Sequence, residues 1–542
     1  MKIALPTSQR LDGRTKQVAL LAAIMGSFVA GLDASAVNVA LPAIRDDLGG
    51  GLAGQQWVSN AYLLTLGSLI LVGGSLSDLF GERRVFSIGV GGFGVVSVLC
   101  ALSPSIEFLV AARALQGAFG ALLTPSALAL IISTFPPSER GAAIGSWTAW
   151  SGIAIVIGPL VGGYLVDAVS WRLIFAINVP FVLMTLLLIA IAVPARPRDM
   201  AHVPLDWLGA VLTFLGLAGP VLALIRQPVV GWGSPEVWGP GVAGVVLLIL
   251  FVMHERRTAA PMLPLGMFKR HNFAIGNLQT FAMYGGLSVT FFFLALFLQQ
   301  VAGYDALHAG LALMPATLVM FALSKRFGRL ADRFGPRWFM GFGPLVSALG
   351  LGLMLRIDAH LNYWTDLLPA LVIFSLGLSA TVAPLTATVL ADADESNAGI
   401  ASGINNAIAR VAGLLAVAAI GAVVSAQFSS ALDDRLSGRS LSGPARVAVE
   451  QARTETLARV DPATAGRQVA AAVQAASADA FHVGIGISAI LVALAGVLGL
   501  AGIRNPRRSV RCQDCPGGQF AGQPLDAARD RPPLAELPAP SQ

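Results

Sequence analysis

Asp33 stands inside the otherwise apolar stretch LDASAVNVALPAI at 32–44, and it is the residue in this chain best placed to do chemistry. An ionisable group at membrane depth is costly, and one that persists faces a partner or a watery cavity and marks an ion or substrate path. A carboxyl in such a place can take up and release a proton. The matching positive charge is Arg113, which opens RALQGAFGA at 113–121, with Gln116 one turn along on the same helix face. Counted from Leu41, Asp33 lies roughly 12 Å below the outer end of its helix; counted from Glu107, Arg113 lies roughly 9 Å deep. Opposite charges at similar depth can share one polar network, where burial and the guanidinium pull the acid's proton affinity in opposite directions, so that a small rearrangement switches it. A static ion pair that only ties two helices together is the alternative.

The elements that must hold these residues are membrane helices. Of 542 residues, 55% are hydrophobic and 12% charged, far from the balance of a soluble domain. A span needs roughly 20 mainly apolar residues. That template predicts fourteen, at 17–41, 56–77, 84–103, 107–132, 142–166, 172–193, 206–226, 236–254, 273–300, 308–327, 337–356, 366–389, 398–424 and 481–503. An even number puts both termini on one side. With that side inside, the inner segments collect Arg83, Arg84, Arg256, Arg257, Lys269, Arg270, Lys325, Arg326, Arg329, Arg333 and Arg337, whereas the short outer loops hold Arg45, Arg172, Arg226 and Arg356. This positive-inside bias accounts for the net charge of +6 without nucleic acid and predicts a cell membrane protein with both termini cytoplasmic. The first span has no plausible cleavage site and reads as a retained helix.

The fold class expected is therefore all-α and integral to the membrane. Its parts are an inner N-terminal segment 1–16, a six-helix bundle 17–193, two additional spans 194–260, a second six-helix bundle 261–503 and an expected disordered cytoplasmic tail 504–542. Residues 425–480, rich in Ala and balanced in charge, read as surface helices in an outer excursion rather than as a span. Cys100 sits in the third span, and Cys512 and Cys515 form a CxxC in the tail, too little for a disulfide framework. That tail pair is either inert or a redox or metal site.

An internal repeat supports the two bundles. GGSLSDLFGERR at 73–84 and GRLADRFGPR at 328–337 both fit GxxxDxxGxR, so Gly74, Asp78, Gly81 and Arg83 correspond to Gly328, Asp332, Gly335 and Arg337. Duplicated bundles are an architecture of transporters that rock around a central site. The loop pattern resembles the signature of the major facilitator superfamily. LDASAVNVALPAI, RALQGAFGA, GIAIVIGPLVGG at 152–163 and SWRLIFAINVP at 170–180 are similar to motifs of its fourteen-helix drug:proton antiporter branch, a multidrug efflux family.

That resemblance implies a proton-coupled exporter of hydrophobic or cationic small molecules working by alternating access, with a specific-metabolite exporter or importer of the same fold as the alternative. It implies that Asp33, Arg113 and Gln116 couple the proton. It also implies that the 152–163 helix, with Gly152, Gly158, Pro159, Gly162 and Gly163, prevents leak, and that Gly74, Asp78, Gly81, Arg83, Arg84 and Asp332 belong to a conformational latch. For Asp78 a partner can be named from physics: a helix N-terminus at Ser396, Asn397 and Ala398 on the same inner face. Small residues at 158–163 permit close helix packing and Pro159 a kink, which is also the plainer reading of that stretch.

Candidates to line a substrate path are Asn38, Trp57, Asn60, Trp150, Tyr284, Asn405 and Asn406, although Trp57 and Trp150 also suit interfacial anchors. No mid-span acid marks the second half, since Asp392, Asp394 and Glu395 fall in an inner loop and Asp305 and Asp366 near the outer surface. Arg410 is the further charge within a span, placed by the sequence near the inner side with loop acids as its expected partners.

No cofactor is expected. A nucleotide-driven pump needs a GK[ST] loop, but Lys2, Lys16, Lys269 and Lys325 are followed by Ile, Gln, Arg and Arg. One proton crossing ~100 mV releases about 2.3 kcal/mol, enough for roughly a 50-fold gradient. An enzyme is not expected either, because the histidines at 202, 254, 271, 308, 360 and 482 lie in loops or near helix ends, without a nucleophile or a metal partner. The partners expected are a small-molecule substrate, protons and the bilayer, for a monomer acting alone or with an accessory export protein.

Overall fold

The computed structural model describes residues 13–192, 206–258, 261–358, 361–391, 398–439 and 441–505. Among them there is no strand. The chain runs through α1 (Gly13–Leu48), α2 (Gly51–Phe80), α3 (Glu82–Ala101), α4 (Ile106–Thr134), α5 (Pro137–Ala168), α6 (Leu173–Ala176), α7 (Asn178–Ala192), α8 (Trp207–Val230), α9 (Pro235–Glu255), α10 (His271–Leu296), α11 (Ala306–Phe334), α12 (Pro336–Met354), α13 (Leu368–Ala391), α14 (Ala398–Leu436), α15 (Gly443–Glu455), α16 (Pro462–Ala465) and α17 (Arg467–Gly502). Each of the fourteen expected spans falls on a helix, the sixth being shared by α6 and α7. Among the described residues, 12 of these spans are by length and composition apolar enough to cross a membrane.

Two bundles with matching packing result. In the first, α2 packs on α4 and α1 on α5; in the second, α11 packs on α13 and α10 on α14. The bundles meet along two seams related in the same way, α5 against α11 and α2 against α14. The extra pair α8 and α9 packs on itself, with α8 against α2 and α14. The repeated loop also repeats in backbone. Gly81 (φ 87°, ψ 139°) joins α2 to α3, and Gly335 (φ 91°, ψ 145°) joins α11 to α12. That region is open to glycine and strained for other residues, which explains why both copies keep it.

Three departures from the expected elements stand out. The sixth span breaks at Ile177, where Pro180 supplies no N–H to the preceding turn. α10 ends in a single π turn, Phe297–Val301. The excursion 425–480 is shorter than expected, because α14 continues to Leu436 and α17 already starts at Arg467. Both extensions are helix-forming sequence that ends at glycines with positive φ, Gly438 and Gly466. What remains is a cap built of α15 and α16. Below, this is the cap end of the molecule, and the Gly81 and Gly335 turns mark the turn end.

Candidate functional site

Asp33 lies on α1 with no exposed surface, and every partner it has is a donor. One carboxylate oxygen accepts from Arg113 Nη1 at 2.5 Å. The other accepts from Gln116 Nε2 at 3.1 Å and from Asn178 Nδ2 at 3.0 Å. The three donors come from α4 and from the start of α7, so the carboxylate ties three helices of the first bundle together. Such an arrangement suits an ionised acceptor.

Arg113 is equally enclosed, at 1% exposure. Its Nη1 also donates to Gln116 Oε1 at 2.5 Å, and its Nε donates to the backbone carbonyl of Val58 on α2 at 3.2 Å. The guanidinium stacks 4.3 Å from the ring centroid of Tyr62 and 5.6 Å from that of Phe175. Gln116 completes the circuit by donating to Ser97 on α3 at 2.9 Å, and the Cys100 thiol sits 3.7 Å from its carbonyl oxygen. A buried ion pair needs this extra bonding to offset its desolvation.

The structure thus brings together Asp33, Arg113 and Gln116. It adds Asn178, Ser97 and Tyr62, which residue-by-residue reading missed. Asn178 was within reach of sequence reasoning, since it stands in SWRLIFAINVP just where Pro180 interrupts the helix. Ser97 and Tyr62 gave no signal, because a lone hydroxyl in an apolar helix is common and their roles depend on how α2 and α3 rotate.

The glycines of α5 place α1 rather than touch the acid. A side chain at Gly158 would collide with Ser35, two residues from Asp33, and one at Gly162 would come within 2.9 Å of Ala36. On the opposite face, a Cβ at Gly163 would lie 2.5 Å from the carbonyl oxygen of Ala306, at the start of α11, and Gly310 meets the Pro159 carbonyl. α5 is therefore held tightly by α1 on one side and by the second bundle on the other. Just beyond it, the Asp167 carboxylate accepts from the backbone N–H groups of Ala306 (3.2 Å) and Leu307 (2.7 Å), capping α11 from the other bundle. Sequence reasoning missed Asp167 too.

The remaining candidates are dispersed. Gly74 sits near Pro125, Arg83 is half-buried and Arg84 exposed. The side chains of Asp78 and Asp332 lie outside the described residues, as do Ser396 and Asn397, the expected partner of Asp78. Trp57 packs into an apolar cluster with Leu64, Leu217 and Leu414, between α2, α8 and α14. Trp150 is exposed, and Asn38 and Tyr284 are half-buried. Asn405 donates to Asn277 and Thr280 on α10, at 3.1 and 2.8 Å, and Asn406 donates to its own helix at Ser402. Asn60 is fully buried with neither amide atom bonded. Arg410 is exposed, about a third of the way along α14, and no carboxylate pairs with it among the described residues. Twelve residues of helix, roughly 18 Å, separate it from the start of α14, and its expected partners Asp392, Asp394 and Glu395 lie outside the described residues.

Comparison with known proteins agrees with this architecture. The chain is 34% identical over 420 residues to a tetracenomycin C resistance and export protein of Streptomyces glaucescens, covering 77% of each protein. It is 36% identical over 411 residues to a puromycin resistance protein of Streptomyces alboniger, covering 74% of this chain and 80% of that one. A multidrug resistance protein of Mycobacterium tuberculosis is 35% identical over 433 residues, 78% of both. Among solved structures, an inward-facing, occupied bacterial homologue of the human lysosomal transporter Spinster superposes with a TM-score of 0.64 at 16% identity, over 91% of this chain and 97% of the other. A D-xylose–proton symporter gives 0.59 at 15% identity, over 90% and 98%. The family description that matches, over residues 23–417, is the Major Facilitator Superfamily, and this chain belongs to it.

Proposed function

We propose that the protein is a proton-driven efflux transporter that exports hydrophobic small molecules across the cell membrane. The relatives named for resistance and export support the direction of transport. The observation that carries the coupling is the enclosed Asp33, bonded to three donors and to no acceptor. A proton arriving on that carboxyl turns an acceptor into a donor facing Arg113. The short bond to Nη1 then has to break, and the ties between α1, α4 and α7 are reset. Loss of the proton restores the bonds. Arg113, always charged, serves as the fixed reference against which the acid switches.

In this reading the turn end, with its basic residues, is cytoplasmic, and the cap end faces outward. Transport is powered by the proton-motive force with no cofactor, and transport rather than bond chemistry is the activity. Replacement of Asp33 by Asn keeps the shape of the side chain and its ability to accept from Arg113, but removes the titration. In inverted membrane vesicles, wild-type protein should consume an imposed proton gradient when substrate is added, and Asp33→Asn should not, at equal amounts in the membrane. Undiminished gradient-driven transport by that variant would refute the assignment.

A further inference from the structure

We infer that Arg410 is the charge that recognises cargo in the central cavity, so that the preferred cargo is a hydrophobic molecule carrying an anionic group such as a carboxylate, sulfonate or phenolate. This narrows the substrate class and rests on the export reading above.

Position is the first support. Counted from Ala398, the expected inner end of its span, Arg410 lies about 18 Å along α14, which is mid-depth in a hydrocarbon core ~30 Å thick. A charge at that depth faces protein or a water-filled cavity rather than lipid. The neighbours identify which. The Cβ of Arg410 comes within 3.4 Å of where a side chain at Gly67 would start, on α2 of the first bundle. Tyr62 of α2 and Tyr284 of α10 both lie within electrostatic reach of the guanidinium. The next residue, Val411, packs with the α8 cluster on the periphery, and Asn405 faces α10. Arg410 therefore points between α2 and α10, where the two bundles face each other, and there it is exposed.

Charge balance is the second support. Among the described residues, three formally charged side chains lie well inside the spans of the two bundles: Asp33, Arg113 and Arg410. The first two neutralise each other and are sealed, at 0% and 1% exposure. Among the described residues no carboxylate pairs with Arg410, so the accessible charge of the cavity wall is positive. In a low-dielectric wall such a charge attracts an anion and repels a cation. A guanidinium also grips a carboxylate or sulfonate through two parallel hydrogen bonds, and half-buried Tyr284 adds an aromatic ring to this part of the wall.

Unused polar capacity is the third. The amide of Asn406, one turn before Arg410, donates to Ser402 and keeps its oxygen. Asn60 is buried with both amide atoms unbonded, and on α2 it falls between two contacts with α14, Gln56 to Val417 and Gly67 to Arg410. Tyr62 links this place to the proton site, because its ring also stacks on Arg113. Cargo at Arg410 and a proton at Asp33 thus share one side chain.

The test uses two lipophilic ions of the same shape and opposite charge, tetraphenylborate and tetraphenylphosphonium. Each is equilibrated with the full chain in lipid nanodiscs, without any gradient, and binding to empty nanodiscs is subtracted. Wild type should bind tetraphenylborate at least roughly tenfold more tightly than tetraphenylphosphonium. Arg410→Gln should erase that preference, and Arg410→Lys, which keeps the charge and controls for folding, should retain most of it. Equal binding of the two ions by wild type, or an undiminished preference in Arg410→Gln, would overturn the proposal. Because no proton gradient is present, the result is independent of whether Asp33 couples transport: a protein that binds the anion through Arg410 yet moves no protons would sink only the export reading.

Discussion

Asn178 shows how much a single amide contributes when everything around it is enclosed. Its Nδ2 bonds both the Asp33 carboxylate and, at 3.2 Å, the Ser97 hydroxyl. Asn178→Ala should leave a buried carboxylate oxygen short of a donor and cost about 1–3 kcal/mol. A thermal unfolding midpoint unchanged from wild type would show that Gln116 alone suffices. A second residue-scale case is Asp305, which caps α11 outside the apolar spans. The backbone N–H of His308 holds its carboxyl below the usual carboxylate range, against a smaller opposing effect of burial and with the His308 ring 2.7 Å away. A depressed acid contributes stability above its unfolded value, near pH 4, and loses it as pH falls through the lower folded value. Asp305→Ala should therefore cost about 1 kcal/mol at pH 7. The deficit should shrink below about pH 4, where wild type loses the same contribution, and melting curves at pH 3 and pH 7 would check this. Charges in apolar runs gave Asp33 and Arg113 away in the sequence. Gln116 was expected with them, but Asn178, although it stands in a quoted motif, was not placed on the same carboxylate, because that depends on helix rotation.

At the scale of the element, the repeated turn is a conformational rather than a packing requirement. A Cβ at Gly81 would meet nothing within 4 Å, yet the backbone has φ 87° and ψ 139°. Gly81→Ala should then cost about 1–3 kcal/mol purely through strain. Gly158 is the opposite case. It has ordinary helical backbone but no room, so Gly158→Val should push α1 away near Ser35 and cost about 1–3 kcal/mol. It should also impair proton-driven transport by displacing Asp33, whereas Gly81→Ala should alter stability more than coupling. Vesicle transport normalised to folded protein separates the two. Hydrophobic runs and glycine spacing made most element types legible, including the turn that recurs at Gly335. Element ends were less so at 425–480, where the Ala-rich sequence is equally at home in a cap or in a longer helix, and the helices ran on.

For the whole molecule, the decisive contacts are those that cross between the bundles at the cap end, and these were invisible in the sequence because each pairs residues more than a hundred positions apart. Asp167, at the end of α5, caps α11 through Ala306 and Leu307. Gln56 of α2 donates to the Val417 carbonyl of α14 at 3.1 Å, and Arg45 lies 3.5 Å from Glu455 of the cap. Opening the cavity toward the cap end requires all of them to separate, so they bias the molecule toward the closed arrangement seen here. A carboxylate at a helix N-terminus is worth about 1 kcal/mol. Asp167→Asn keeps an acceptor but loses the charge, and should shift the balance between cap-closed and cap-open states roughly fivefold toward open. Spin labels at Val169→Cys and Trp364→Cys, both on exposed positions and on opposite bundles, with Cys512 and Cys515 replaced by Ser, would read this as a larger long-distance fraction. The shift should appear without any loss of thermal stability beyond that same ~1 kcal/mol, since the capping bond is weakened and no packing is removed. An unchanged distance distribution would mean that the glycine-tight seam of α5 and α11, and not this charge, keeps the cap end closed.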